Sequence, residues 1–110
     1  MWRDYYRGGE RVIPPEGMQE VAAAIAGLVD QGKFFHNGQE VTRPPFRVNI
    51  ETERIRVLLY LDDLDIGQFE YFSIMTKSGK VLFQKTGLVE KKESEGLVIA
   101  FSLQLQEVEA

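Results

Sequence analysis

The sequence predicts an α+β domain in which one N-terminal helix packs on an antiparallel β-meander of about five to seven strands. Three observations carry that expectation. Residues 46–61, FRVNIETERIRVLLYL, hold two apolar alternations of opposite phase: Phe46, Val48 and Ile50, then Ile55, Val57, Leu59 and Leu61. One stretch alone repeats apolar residues at helical spacing, with Met18, Val21, Ile25, Leu28 and Val29. Turn signals, Asn37-Gly38 and Ser78-Gly79, separate alternating segments. At 110 residues the chain is sized for one domain with one core. It divides into an arm over 1–13, a helix over 15–31 and a sheet over 33–106.

The arm holds Trp2, Tyr5 and Tyr6 ahead of a Gly8-Gly9 break, at a spacing that fits neither helix nor strand. Its rings can dock on the domain's own core or anchor a partner, since such residues dominate interface hot spots. Pro14-Pro15-Glu16 then opens a helix. Proline suits the first turn, and an early carboxylate complements the helix dipole. Ala22, Ala23, Ala24 and Ala26 keep the surface small enough to lie close to a sheet. Gly32 is the expected C′ stop.

Lys33–Thr42 reads as a hairpin about Asn37-Gly38, with Phe34 facing Val41 and His36 facing Gln39. Pro44-Pro45 forces an extended approach to Phe46. Over 46–61, a two-residue loop at Thr52-Glu53 sets Ile50 opposite Ile55, Val48 opposite Val57 and Phe46 opposite Leu59 on one face. Arg47, Asn49, Glu51, Arg54 and Arg56 then occupy the other face, with Glu51 across from Arg54. Thr-Glu is a poor primed turn, so a bulge or a bent continuous strand is the alternative. Next, Gln68–Lys77 and Lys80–Thr86 pair about Ser78-Gly79, placing Ile74 opposite Phe83, Thr76 opposite Val81 and Met75 opposite Leu82. Both faces of that hairpin are partly apolar, which implies a position in mid-sheet or one covered on both sides. A charged connection, EKKESEG, leads to Leu97–Gln106, the cleanest alternation in the chain.

Composition narrows the function. The chain is 44% hydrophobic and 27% charged, as in globular proteins, and has no cysteine. That excludes a disulfide scaffold, a thiol nucleophile and a thiolate zinc site. The longest apolar run, Val21–Val29, is too short to cross a bilayer. The polar, aromatic N-terminus argues against a signal peptide, so a cytoplasmic location and no membrane partner are expected. Net charge is −4. Residues 1–56 balance eight basic against eight acidic side chains, whereas 57–110 set five against nine. Duplex nucleic-acid binders show a basic excess instead.

No catalytic constellation is legible. The lone histidine, His36, sits beside a turn with no nucleophile motif near it, which predicts an exposed turn residue. Asp62, Asp63 and Asp65 before Gly67 echo a calcium loop but lack its spacing and terminal glutamate, so they cap a turn or, as a weaker alternative, hold a metal. No cofactor motif is present and none is expected. The leading expectation is therefore a small non-enzymatic protein–protein interaction or adaptor module that self-associates. Its partner would be another protein or a second copy. Trp2, Tyr5 and Tyr6 of the arm and the uncharged strand around Leu97, Ile99 and Phe101 would carry the contact. The alternative is a single-stranded nucleic-acid or polyanion binder using Arg43, Arg47, Arg54 and Arg56 with Tyr60 on a sheet face. A small-ligand or metal-binding pocket protein is a third reading.

Overall fold

The structure, a computed structural model, describes residues 13–51 and 53–106. It has one helix, α1 (Pro15–Ala26), and seven strands: β1 (Val29–His36), β2 (Gln39–Arg43), β3 (Arg47–Ile50), β4 (Arg54–Leu61), β5 (Gly67–Thr76), β6 (Val81–Lys91) and β7 (Leu97–Gln104). Every pairing is antiparallel. The α+β class stands as expected, but the strands divide between two sheets, ordered β2-β1-β5-β6 and β3-β4-β7. Three hairpins, β1–β2, β3–β4 and β5–β6, are local. The β1–β5 and β4–β7 ladders join distant segments and create the division.

The helix is shorter than its apolar periodicity suggests. Gly27 N–H donates to the Ala23 carbonyl at 2.9 Å and Leu28 N–H to the Ile25 carbonyl at 3.0 Å, closing the last turn at Ala26. Residues 29–31, placed in the helix by spacing alone, begin β1 instead. Gly32 is not a helix stop. It is buried where β1 crosses β4, and a Cβ there would overlap the Leu59 isobutyl group. Met18 and Ala22 are the buried positions of α1, which packs on β3 and β4. Val21, expected on the same face, is 42% exposed.

The core lies between the two sheets. Ile55, Val57, Leu59 and Leu61 of β4 are fully buried, every second residue as the alternation requires. They meet Phe34 of β1, Phe69, Phe72 and Ile74 of β5, and Phe101 of β7. The Phe34 ring lies 5.6 Å from Phe69 and 5.8 Å from Phe72, both tilted. Burying a large apolar side chain stabilises by about 1.5–3 kcal/mol, so this cluster is the main source of stability.

A bulge explains the two-faced look of β5. Lys33 pairs with Ser73 and Phe35 with Glu70, so Phe34 alone faces both Tyr71 and Phe72. Tyr71 has φ 56°, the left-handed conformation of an extra residue in a strand. Discounting Tyr71, Phe69, Phe72 and Ile74 fall on one face. β5 lies between β1 and β6, the mid-sheet position that was one of the two its apolar residues implied. One inserted residue shifts the phase.

The turns follow their residues. Asn37 and Gly38 have φ 50° and 84°, the type I′ geometry that two-residue hairpins prefer. The central hairpin keeps the expected register, Val48 to Val57 and Ile50 to Ile55. Glu51 N–H donates to the Arg54 carbonyl at 2.8 Å, with the reciprocal bond at 3.4 Å. The third hairpin differs from expectation. Thr76 N–H donates to Lys80 O at 2.8 Å and Gly79 N–H to Thr76 O at 2.9 Å, giving a three-residue loop with Gly79 at φ 82°. Met75 consequently pairs with Val81 rather than Leu82, while Ile74 meets Phe83 as expected. Ser-Gly supplies one residue suited to positive φ where a type I′ turn needs two, and the longer loop resolves this.

Candidate functional site

The chain's two long edge strands, β6 and β7, run beside each other after the short 92–96 connection, yet no ladder joins them. Between them opens a cleft of about 190 Å³, lined by Phe72, Leu88, Val89, Val98, Ile99 and Ala100 among others. Leu88 and Val98 at its mouth are 61% and 47% exposed. Gly87, at φ 142°, forms part of the β6 irregularity opposite Tyr71 and borders the same opening. Lys85 reaches across to lie 5.6 Å from the Phe101 ring centroid.

The free edge of β7 can be read from the ladder. Glu51 and Arg54 exchange backbone hydrogen bonds, so alternation turns the N–H and C=O groups of Ile55, Val57, Leu59 and Leu61 toward β7. Their partners are Leu103, Phe101, Ile99 and Leu97. The backbone groups of Val98, Ala100, Ser102 and Gln104 therefore point away from β4, along the edge that borders the cleft. Sequence reasoning singled out Leu97, Ile99 and Phe101. Their side chains face inward: Phe101 is 2% exposed, and Leu97 and Ile99 are half-buried against the core. The edge accessible to another chain is made by the even-numbered residues. Parity relative to the hairpin is the signal that finds them. Trp2, Tyr5 and Tyr6 lie outside the described residues.

The arginines separate into two groups. Arg43 donates to Asp65 through both terminal nitrogens, at 2.8 and 3.0 Å, and to the Tyr60 carbonyl at 3.2 Å. Its guanidinium also lies 5.2 Å from the Phe34 ring centroid. Asp65, hydrogen-bonded by Arg43, is held below the usual carboxylate range despite partial burial, and the same hydrogen bond raises Arg43 above its ordinary value. This pair clamps β2 to the β4–β5 loop. Arg47, Arg54, Arg56 and Tyr60 instead share the outer face of the β3–β4–β7 sheet.

The acidic loop is occupied with its own backbone. Asp62 Oδ1 accepts from Leu64 N–H at 2.9 Å, and Asp65 Oδ2 from Asp62 N–H at 2.9 Å. Asp63 is exposed beside them. Among the described residues, no group of three or more His, Asp or Glu side chains is arranged to hold a metal ion. His36 is half-buried rather than exposed. Its ring stacks on Phe69 at 4.3 Å with 10° between planes, and Nε2 donates to the Ile66 carbonyl at 2.6 Å. That places it as a fastener between β1 and the acidic loop.

No protein-family model matches this chain, and comparison with curated proteins and with solved structures returns no match. No helix among the described residues is long and apolar enough to cross a membrane.

Proposed function

We propose that the protein is a small non-enzymatic interaction module that self-associates by pairing extended strands along the β7 edge. The observation behind this reading is the set of outward backbone groups on Val98, Ala100, Ser102 and Gln104, joined to no ladder among the described residues and bordered by exposed Leu88 and Val98. Open edges invite strand addition, and natural proteins protect them with charges or proline. Residues 97–106 contain neither. An uncharged edge carries no repulsion against a second copy of itself, which favours self-pairing. The adjoining cleft, at about 190 Å³, is smaller than the roughly 300–1,000 Å³ of small-molecule sites. It suits one apolar side chain of an incoming strand better than a free ligand.

Size-exclusion chromatography with light scattering tests the proposal. The wild-type chain is expected to form a dimer at micromolar concentration. Val98→Lys, which puts a charge on the edge while leaving the core face untouched, is expected to weaken it at least tenfold with unchanged circular dichroism. A wild-type monomer at high concentration would reject self-association, and an undisturbed dimer of the variant would reject this edge.

A further inference from the structure

We infer that the outer face of the β3–β4–β7 sheet is a second binding surface, built to hold a single-stranded nucleic acid. Phe46 is the first residue of this face. Alternation assigns it to the core face opposite Leu59, yet it is 56% exposed, and its ring lies 5.4 Å from Tyr60. Tyr60 shares the outer face with Val98 and is itself 38% exposed. The Phe46 N–H donates to Leu58 O at 2.8 Å, so the chain leaving Pro44-Pro45 joins the sheet out of step and the ring turns outward. Two exposed aromatic rings thus stand together on a sheet surface. The Arg47 guanidinium lies 5.6 Å from the Phe46 centroid.

The remaining positions on this face supply positive charge. Arg47 pairs across to Leu58, Arg56 to Asn49 and Ser102, and Arg54 to Gln104. Arginines between strands ordinarily meet carboxylates, and Glu51 stands across from Arg54 for that purpose. Arg54 instead donates to Gln104 Oε1 at 2.9 Å. The side-chain ion pairs formed among the described residues are Lys33–Glu40 and Arg43–Asp65. Arg47, Arg54 and Arg56 belong to neither. Three arginines without carboxylate partners among the described residues, next to two exposed rings, match a chain that carries both phosphates and flat bases. An acidic peptide would use the charge but not the rings. The chain's overall charge of −4 opposes binding away from this face, and duplex DNA offers no exposed base planes to the rings.

Fluorescence anisotropy with a labelled oligouridylate of about 12 nucleotides, a length within single-strand site sizes, tests the inference. At nanomolar protein the readout is independent of self-association. Affinity is expected to fall with salt at a log–log slope near −2, about 0.7 for each of three arginines. Phe46→Ala should weaken binding by about tenfold without lowering the thermal midpoint. Arg56→Ser should flatten the slope by about 0.7. Absence of binding at low salt would overturn the proposal. So would equal binding of polyglutamate or of a duplex, or indifference to Phe46→Ala, since each would reduce the face to a general polyanion surface or to none.

Discussion

Gly32 shows how much one side chain can decide. As a residue in a sequence it reads as a helix stop, because nothing local reveals that β1 will cross β4 there. In the fold its missing Cβ makes room for Leu59. Gly32→Ala is expected to destabilise by about 1–3 kcal/mol, the usual cost of overpacking a filled core, measurable as a lower urea midpoint. Asp65 carries a different consequence. Its folded pKa is depressed by the Arg43 hydrogen bond, so its contribution is present above its unfolded value of about 3.9 and is lost as pH falls through the lower folded value. Asp65→Asn should therefore be less stable than wild type near neutral pH, by about 1–2 kcal/mol for a charge-assisted pair that is partly exposed. That difference should shrink as unfolding is measured from pH 5 down to about pH 2. A constant gap across that range would mean the pair is not ionic in its effect. His36 and Phe46 also moved from their expected places, one inward and one outward. In both cases the partners, Phe69 and Tyr60, lie more than a dozen residues away, beyond the reach of local pattern.

Among elements, β5 is the instructive one. Its residues present apolar groups at both parities until Tyr71 is recognised as inserted, after which Phe69, Phe72 and Ile74 align on the core side. That reading separates two deletions that look alike on paper. Removing Tyr71 leaves the core face continuous, and the protein should still unfold in one cooperative transition, with the loss of the edge-to-face contact to Phe35 at 6.0 Å costing about 0.5–1.5 kcal/mol. Removing Ser73 instead places Ile74 on the opposite face from Phe72, and no cooperative melt should remain. Similar behaviour of the two would show that Tyr71 is not the phase-setting residue. The third hairpin carries the same lesson at smaller scale, since one additional loop residue moved Met75 from Leu82 to Val81. By contrast, β4 and the pairing of Val48 and Ile50 across the central hairpin stand as expected, because strict alternation on one strand and matching parity on the next leave a single register.

For the whole molecule, the decisive contacts are those between remote segments. The β1–β5 and β4–β7 ladders divide the strands between two sheets, and Arg43–Asp65 ties their ends together. The division leaves β6 and β7 without a common ladder, and the proposed association edge exists only for that reason. If a second copy occupies it, binding adds to stability by mass action. The thermal midpoint of the wild-type chain should then rise with protein concentration, whereas that of Val98→Lys should stay fixed. A concentration-independent midpoint for both would count against self-pairing.

Class, strand number and hairpin positions were legible in the chain itself, since the period of apolar residues and the chemistry of Asn-Gly and Pro-Pro act over a few residues. Strand order, the bulge, the crossing at Gly32 and the side on which Phe46 emerges were settled by packing, where groups far apart in sequence compete for the same volume. The candidate surfaces fall on that second side of the line. The residue types were visible beforehand, but which of them face solvent depends on how two sheets close over one core.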